Sequence, residues 1–325
     1  MSLNLAPIID AVRLAAILCR EVQRSHIESS QKSGQEPVTI ADYGAQAIIN
    51  QAIRAVYPHD GIMAEENGTQ FMQLVSDEQR QQIAQLVSVV MGRAVTETNI
   101  AEWLDYADDA RTERVWVIDP IDGTKGFLAL RHYVVAVGVL EGGHASAAVM
   151  AAPAYPNTER GLIFTAQDGK AYRMPLMGGT PEQVRATTHT DPALVRVLES
   201  VEKSHASHDR MEKVRAYAGL LESPFERVDS QEKYARIAAG DGELYLRLPR
   251  LHSTRGHSTW DHAAGAALIY AGGGKVTDID GSALDFTTGR ELTHNHGMIV
   301  SNGAIHARVL EAVQRVLAEE AEQSS

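Results

Sequence analysis

Cysteine is nearly absent from this chain, since Cys19 is the only one among 325 residues. An intramolecular disulfide is therefore impossible, which excludes a disulfide-rich secreted scaffold and fits a reducing compartment. A long apolar run is also missing, because residues 4–30 alternate apolar side chains with Arg, Glu and Gln at helical spacing. We therefore predict an amphipathic surface helix there, with no secretory signal, no transit peptide, no membrane span and a cytoplasmic location.

Positive charge is scarce, with 30 lysines and arginines against 42 aspartates and glutamates, a net charge of −12. This balance argues against a nucleic-acid-binding surface, although a few local cations can still hold a small anionic ligand. Internal repeats and low-complexity segments are absent as well. The chain is long enough to bury a large core, and we predict one compact unit of two parts, as a monomer or a homodimer.

The apolar pattern changes along the chain and predicts two parts of different type. The first part, residues 1–178, has helical patterns followed by short strand-like runs with glycine-containing turns, which predicts a mainly antiparallel α+β sheet flanked by helices. The second part, residues 179–325, begins in the Gly- and Pro-rich stretch 175–181 and alternates strand and helix, which predicts α/β layering. The first part has helical patterns at 6–28, 40–57 and 77–91 and strand-like runs at 115–118, 133–140, 145–152, 162–165 and 171–173. The second part has elements at 184–186, 191–202, 211–218, 230–239 and 243–248, a helix from Asp261, strands at 275–277 and 298–301, and a closing helix at 305–320.

The stretch Trp116–Phe127, WVIDPIDGTKGF, places two carboxylates, Asp119 and Asp122, on a turn directly after a buried strand. Ligands usually bind at the carboxyl ends of such strands, and Mg²⁺ takes oxygen ligands from carboxylates and carbonyls, here including the carbonyl of Ile121. An Asp-Pro-x-Asp-Gly turn can also place its carboxylates on backbone donors without any metal. On this turn alone, metal binding and turn chemistry are equally good interpretations.

Four further carboxylates lie in comparable positions, two of them adjacent in sequence. Glu65 and Glu66 follow the apolar segment 62–64, and because neighbours on an extended chain point to opposite sides, we expect only Glu65 to face a site. Asp42 and Asp261 each lie in the first turn of a predicted helix, where the helix dipole alone also favours a carboxylate. These residues are candidate metal ligands or catalytic groups, and each also has a purely structural explanation.

Together, these motifs resemble the inositol monophosphatase superfamily of Mg²⁺-dependent, Li⁺-sensitive phosphatases, over nearly the whole chain. The superfamily motif Asp-Pro-Ile/Leu-Asp-Gly-Thr stands at 119–124, and Trp-Asp-x-Ala-Ala-Gly stands at 260–265. The chain departs from the family at Ala64, where Gly is usual, and in a long polar excursion at 70–114, whose role the sequence leaves open. Four flanking segments resemble the 3'(2'),5'-bisphosphate nucleotidase branch: KGFL at 125–128, LESVEKSHASHD at 198–209, VDSQEKY at 228–234 and ELYLRLP at 243–249.

The resemblance implies a layered αβαβα sandwich of the sugar phosphatase type and a site for two to three Mg²⁺ ions, with inhibition by Li⁺. It also implies that metal-activated water attacks the phosphate, while the hydroxyl of Thr124, oriented by Asp42, takes a proton from that water. Thr124 has a simpler alternative role as a hydroxyl that satisfies the turn. The metal ligands implied by the resemblance are Glu65, Asp119, the carbonyl of Ile121, Asp122 and Asp261.

For the substrate, the resemblance implies a small nucleotide, adenosine 3',5'-bisphosphate, hydrolysed to AMP and phosphate, with 3'-phosphoadenylyl sulfate as a related substrate and a role in sulfur metabolism. Lys233 and Arg247 suit its 5'-phosphate, as a point charge and a bidentate fork. His205 and His208 have an alternative reading as a metal site, and Arg247 has one as the exposed face of an edge strand. Two other functions stay open: an inositol phosphate phosphatase of the same superfamily, and a non-catalytic nucleotide sensor. The substrate contacts implied by the resemblance are Thr124, His205, Ser230, Lys233, Arg247 and Asp261.

Overall fold

The computed structural model describes residues 3–29, 37–106, 112–201, 208–249 and 256–323. Within these ranges the helices are α1 (Ala6–Ser29), α2 (Pro37–Val56), α3 (Gly68–Leu74), α4 (Asp77–Met91), α5 (Glu97–Leu104), α6 (Thr124–Leu128), α7 (His208–Tyr217), α8 (Glu232–Ala238), α9 (Ala263–Gly272) and α10 (His306–Gln323). The strands are β1 (Gly61–Ala64), β2 (Arg114–Asp122), β3 (Val134–Glu141), β4 (His144–Ala152), β5 (Leu162–Gln167), β6 (Lys170–Pro175), β7 (Glu182–Val184), β8 (Val197–Glu199), β9 (Phe225–Arg227), β10 (Leu244–Arg247), β11 (Lys275–Thr277) and β12 (Met298–Ser301). Short 3-10 turns lie at Thr259–Asp261 and Phe286–Thr288.

The first sheet contains β1 to β7 in chain order, within the residues described. Strands β1 and β2 run parallel, and every later strand pairs antiparallel with the one before it, as short hairpin connections require. The mainly antiparallel sheet predicted for the first part is therefore confirmed. Because β7 belongs to this sheet, the sheet extends beyond residue 178, and the division of the chain at that point stays a prediction.

The second sheet has the order β11-β12-β10-β8-β9 in the described part of the chain. Strand β8 lies between β10 and β9 and is parallel to both, whereas β12 is antiparallel to β10 and β11. Residues 191–202, predicted as one continuous element, contain only this short strand among their described residues. The pairing of Val197 and Leu198 with β10 determines the local structure here, because a central strand position buries both side chains.

The elements stack in five layers. Helices α1 and α2 share one core with the first sheet, in which Trp116 and Ile118 of β2 are fully buried. Helices α8 and α9 lie between the two sheets, and α7 and α10 cover the outer face of the second sheet. The predicted αβαβα sandwich is confirmed. In the part of the chain that the structure describes, no helix combines the length and apolar character needed to cross a membrane.

Helix α9 is the thinnest part of the middle layer, since its sequence AAGAALIYAG consists mostly of Ala and Gly. A Cβ atom at Gly138 of β3 would lie 2.8 Å from the backbone nitrogen of Ala264, and one at Gly265 would lie 2.5 Å from the ring of Tyr234. Both distances are too short for real Cβ atoms. The helix therefore packs almost backbone to backbone on the first sheet and directly against α8 on its other side.

Candidate active site

The strand register brings two of the candidate carboxylates together. Strand β1 pairs in parallel with β2, with Ala64 opposite Ile118. The residues that follow, Glu65 and Asp119, therefore leave the paired region side by side at the carboxyl ends of the two strands, the edge where ligands bind in α/β sheets. Asp119 is buried, whereas Glu65 is exposed.

The turn after β2 positions Asp122 and Thr124. The register with β3 shifts between Asp119 and Asp122, which marks a bulge that re-aims the second aspartate. Gly123 follows with a left-handed φ of 94°, and a Cβ there would lie 2.9 Å from that of Ser230, so this turn requires glycine. Thr124 then begins α6, and its hydroxyl donates to the carbonyl oxygen of Ile121 at 3.4 Å.

Gln231 links this turn to the Trp-Asp-x-Ala-Ala-Gly motif. Its backbone N–H donates to Oδ2 of Asp122 at 2.7 Å. Its side-chain amide donates to the carbonyl oxygen of Trp260 at 2.8 Å and accepts from the N–H of Gly265 at 3.0 Å. One buried glutamine thus fixes Asp122 and the turn that carries Asp261 relative to each other.

The segment that carries Glu65 is held from two sides. Gln46 of α2 donates to the carbonyl oxygen of Glu66 at 2.7 Å and accepts from its N–H at 2.9 Å. Arg290 donates to the carbonyl oxygen of Ala64 at 2.8 Å, and its guanidinium lies 4.7 Å from the ring centre of Trp260. These contacts connect α2, β1 and the Trp260 turn, so the three carriers of candidate ligands are mutually braced.

The carboxylates perturb one another strongly. Burial, and then the charges of Glu65 and Asp122, raise the pKa of Asp119 well above its usual value. Desolvation, and then repulsion from Glu66 and Asp261, raise the pKa of Glu65 to about 7. Desolvation and Asp261 likewise raise the pKa of Asp122 to about 6, against the lowering effects of Lys233 and Gln231.

Asp42, on α2 behind this group, is exposed to the electrostatic field of the same carboxylates. Burial, followed by the charges of Glu65 and Glu66, raises the pKa of Asp42 well above its usual value. Helices α2 and α6 pack together, so Asp42 and Thr124 are carried by adjoining elements. Among the described residues, the Thr124 hydroxyl is bonded to Ile121 and not to Asp42.

The donor set suits Mg²⁺. Carboxylates and one backbone carbonyl are the oxygen ligands that this ion prefers, and a cation would relieve the repulsion that raises these pKa values. Oδ1 of Asp119 is buried without a hydrogen-bond partner, which marks it as an atom that needs a positive neighbour. Among the described residues, no three His, Cys, Asp or Glu side chains are already arranged to hold a metal ion. The residues fit the ion by chemistry, and their side chains would have to draw together around it.

A cleft of about 220 Å³ opens beside Asp122 and Asp261. Ser230, Lys233 and Arg247 all line it. Nη1 of Arg247, at the end of β10, lies 3.5 Å from Oδ2 of Asp261, so the cleft joins an acidic side to a basic side.

Lys233 is more deeply placed than its sequence context suggested. Its ammonium donates to the carbonyl oxygens of Val228 at 2.8 Å and Ser230 at 2.7 Å, and it lies 4.9 Å from the ring centre of Tyr245. Burial lowers its pKa to about 8. Two of its three donors therefore hold the Ser230 turn, in which Ser230 has a left-handed φ of 66°, and one donor remains for a ligand.

The structure thus brings Asp42, Glu65, Asp119, Asp122, Thr124 and Asp261 to one end of the first sheet and Ser230, Lys233 and Arg247 to the adjoining cleft. His205 lies outside the described residues. The backbone of His208 begins α7, and nothing is described of its side chain.

Sequence reasoning missed Gln231, Gln46 and Arg290. The first stands inside the segment VDSQEKY, where its position beside Ser230 was a usable signal. Gln46 and Arg290 gave no signal, because each bonds to a backbone carbonyl that is remote in sequence.

Comparisons with known proteins agree with this architecture. The model of the inositol monophosphatase family matches residues 5–318. The 3'(2'),5'-bisphosphate nucleotidase of Emericella nidulans is 34% identical over 341 residues, covering 94% of this chain and 96% of that protein. The enzyme of the same name from Oryza sativa is 33% identical, covering 97% of this chain and 94% of that protein.

Solved structures give the same fold. The inositol monophosphatase from Anabaena sp. PCC 7120 superimposes with a TM-score of 0.60 at 21% identity, covering 96% of this chain and 97% of that one. The extragenic suppressor protein suhB from Bartonella henselae gives a TM-score of 0.62 at 17% identity, covering 95% of this chain and 98% of that one. At these identities the structures support the fold alone. With the family model matched from Leu5 to near the end of α10, the chain belongs to the inositol monophosphatase family.

Proposed function

We propose that this chain is a Mg²⁺-dependent phosphoric monoester hydrolase that removes the 3'-phosphate of adenosine 3',5'-bisphosphate and gives AMP and phosphate. The observation that carries the proposal is the contact between the acidic and basic sides of the cleft, where Arg247 lies 3.5 Å from Asp261. A substrate with two phosphates uses both sides, one phosphate at the carboxylates and the other at the cations. The names of the relatives support the same substrate class.

In this proposal Glu65, Asp119, the carbonyl of Ile121, Asp122 and Asp261 hold the metal. Bound Mg²⁺ would neutralise charge on the phosphate oxygens and lower the pKa of the attacking water. The protein's own carboxylates repel a phosphate, so they can face the substrate only when their charge is compensated. This requirement explains why a strongly acidic group of side chains lies beside a cleft for an anion.

Thr124 is the proposed proton acceptor, because its side chain is exposed at the cleft next to Asp122. Its hydroxyl now donates to Ile121, and in the catalytic state it would donate to Asp42 instead, passing its own proton to that carboxylate as it accepts one from the attacking water. The bond that breaks is the one between phosphorus and O3', and the bond that forms joins phosphorus to the water oxygen. The departing O3' takes up a proton from solvent as AMP is released.

The 5'-phosphate would lie against Arg247 and the remaining donor of Lys233, with Ser230 beside them. The same contacts would serve 3'-phosphoadenylyl sulfate, whose sulfate extends that 5' group. Thr124 and Asp261 would contact the 3'-phosphate. His205, implied as a further contact by the family resemblance, stays a prediction.

The test is phosphate release from adenosine 3',5'-bisphosphate, inositol 1-phosphate and inositol 1,4-bisphosphate, each with Mg²⁺ and with a chelator. We expect turnover of the nucleotide to exceed that of both inositol phosphates and to stop in chelator. Preference for an inositol phosphate would overturn the nucleotide assignment and keep the metal chemistry. Failure to hydrolyse any of the three would favour a non-catalytic nucleotide sensor, which binding of AMP would then reveal.

A further inference from the structure

Tyr234 and His262 form a row of polar side chains with Arg247 along the wall of the cleft. The hydroxyl of Tyr234 lies 2.8 Å from Nδ1 of His262. Nε2 of the same histidine lies 3.4 Å from Nη1 of Arg247. All three residues line the cleft, although both Tyr234 and His262 are almost completely buried.

Arg247 determines which nitrogen of His262 carries the proton. A guanidinium has only N–H donors and stays charged, so the nitrogen that faces it must be an unprotonated acceptor. That nitrogen is Nε2. The single proton of a neutral imidazole then lies on Nδ1, which donates to the oxygen of Tyr234.

Within the part of the chain that the structure describes, this polarity leaves the hydroxyl proton of Tyr234 without an acceptor. Its oxygen already accepts from His262, and His262 is the only side chain bonded to this hydroxyl among the described residues. A buried donor that lacks an acceptor is costly, and Tyr234 borders the open space of the cleft. The acceptor must therefore come from whatever occupies the cleft.

We propose that Tyr234 donates a hydrogen bond to the nucleotide phosphate held by Arg247, with His262 as the positioning residue that fixes the direction of this bond. The neighbouring groups favour an anionic acceptor, because the cations of Lys233 and Arg247 border the same part of the cleft. The identity of that anion as a 5'-phosphate rests on the proposed function. The assignment of the His262 tautomer does not depend on the proposed function.

The first experiment compares Tyr234→Phe with Tyr155→Phe. The first substitution removes the hydroxyl and keeps the ring, whereas the Tyr155 hydroxyl donates to Asp241 at 2.6 Å outside the cleft and makes a matched control. Because a hydrogen bond to a charged group is worth about 1.5 to 3 kcal/mol, we expect KM for adenosine 3',5'-bisphosphate and Kd for AMP to rise about 10- to 100-fold in Tyr234→Phe.

The same variant should leave KM for adenosine 3'-monophosphate, which has no 5'-phosphate, within about twofold, because the lost bond would be absent from that complex. The control variant should change neither KM nor Kd. Unchanged AMP affinity in Tyr234→Phe, or an equal rise in KM for both nucleotides, would overturn the contact. A wild-type protein that binds AMP without hydrolysing the bisphosphate would remove the proposed function and leave this contact standing. Absence of AMP binding by the wild type would overturn this contact, whereas the proposed function is decided by phosphate release.

The second experiment needs no ligand. Nitrogen-15 NMR of protein labelled at histidine, with the His262 signals assigned by their loss in His262→Asn, reports which ring nitrogen is protonated. We expect a protonated Nδ1 and an unprotonated Nε2. A proton on Nε2 would reverse the direction of the hydrogen bond between His262 and Tyr234 and overturn the proposal, whatever the substrate proves to be.

Discussion

The N–H of Gln231 donates to Oδ2 of Asp122 across 109 positions of sequence, at 2.7 Å. Through its side chain the same residue holds Trp260 and Gly265, on either side of Asp261. Two carboxylates that belong to different halves of the chain therefore share one support. The distance between Asp122 and Asp261 therefore depends on Gln231 and not on either of their own segments alone.

Replacing Gln231 with Ala should remove its side-chain support of the Asp261 turn and keep its N–H bond to Asp122. The change leaves the carbonyl of Trp260 and the N–H of Gly265 without partners, which should lower the free energy of unfolding by about 2 to 4 kcal/mol. It should also weaken Mg²⁺ binding, measured by calorimetry, about 10- to 100-fold, because the turn that carries the proposed ligand Asp261 loses its support. Gln183→Ala on exposed β7 is the control. A lower melting temperature with unchanged Mg²⁺ affinity would show that Gln231 only stabilises the fold.

Asp122→Asn tests the metal site directly. Loss of a ligand charge should reduce kcat by at least about 100-fold, equivalent to about 2.7 kcal/mol of transition-state stabilisation. Because the pKa of Asp122 is raised to about 6 by burial and by Asp261, the variant should not melt earlier than the wild type in chelator. Asp168→Asn, in a hairpin turn that Asn tolerates, is the control. Wild-type turnover in Asp122→Asn would contradict the site.

Metal should stabilise the folded protein. Mg²⁺ that binds the carboxylates of the native state alone raises the melting temperature with increasing concentration. We expect this rise in the wild type by scanning fluorimetry, and a smaller one in Asp122→Asn. Millimolar Li⁺ at fixed Mg²⁺ should inhibit phosphate release. Full activity in chelator, or full resistance to Li⁺, would indicate a different type of catalytic centre.

Arg247→Ala and Lys233→Ala should raise KM more for a substrate that carries a 5'-phosphate than for one that lacks it. Each should raise KM for adenosine 3',5'-bisphosphate about 10-fold or more, and change KM for a simple phosphomonoester less. Lys233→Ala should also lower the melting temperature, because the carbonyls of Val228 and Ser230 lose their donor. Equal effects on both substrates would remove the two residues from the 5'-phosphate site.

His306 makes stability depend on pH. It bonds to Thr277 at 2.9 Å and to Ser301 at 2.8 Å, and burial followed by repulsion from Lys275 lowers its pKa to about 4. Between about pH 6.5 and 4 the unfolded chain binds a proton here that the folded chain does not. This residue should therefore lower the free energy of unfolding as pH falls through that window, by up to about 1.4 kcal/mol per unit.

The measurement for His306 is urea unfolding at several pH values. Relative to the wild type, the free energy of unfolding of His306→Gln should become progressively more favourable to the folded state as pH falls from 6.5 to 4. Exposed His144, replaced in the same way, should retain the wild-type slope. Equal slopes in all three proteins would show that His306 does not titrate on unfolding.

The sequence predicted what is encoded locally. A continuous apolar run located β2, which is buried on both faces, and a helical apolar pattern located α4, which buries one face. The motif around Asp119 and Asp122 marked the end of the buried strand. Contacts between distant segments left no such pattern. Arg290 bonds to Ala64 over 226 positions, and no property of either residue alone indicates the pairing.

Residues with two possible environments were the hardest to predict. Lys233 was expected at a ligand surface, and it lies largely buried, with two donors committed to backbone carbonyls. The short strand β8 was hidden within residues 191–202, because its extended form depends on β9 and β10 on either side. For both Lys233 and β8, contacts with other segments of the chain determine the local environment or conformation.

The near absence of side chains where α9 meets β3 makes the middle layer a spacer of fixed thickness. At Gly138 the backbone of α9 lies directly against β3, and at Gly265 it lies against the ring of Tyr234, so neither glycine contributes a rotamer that could change. A larger ligand therefore cannot be accommodated by widening the sandwich. Any evolution of substrate range in this chain would have to occur in the turns at the rim, such as the one at Ser230, while the spacer preserves the distance between them.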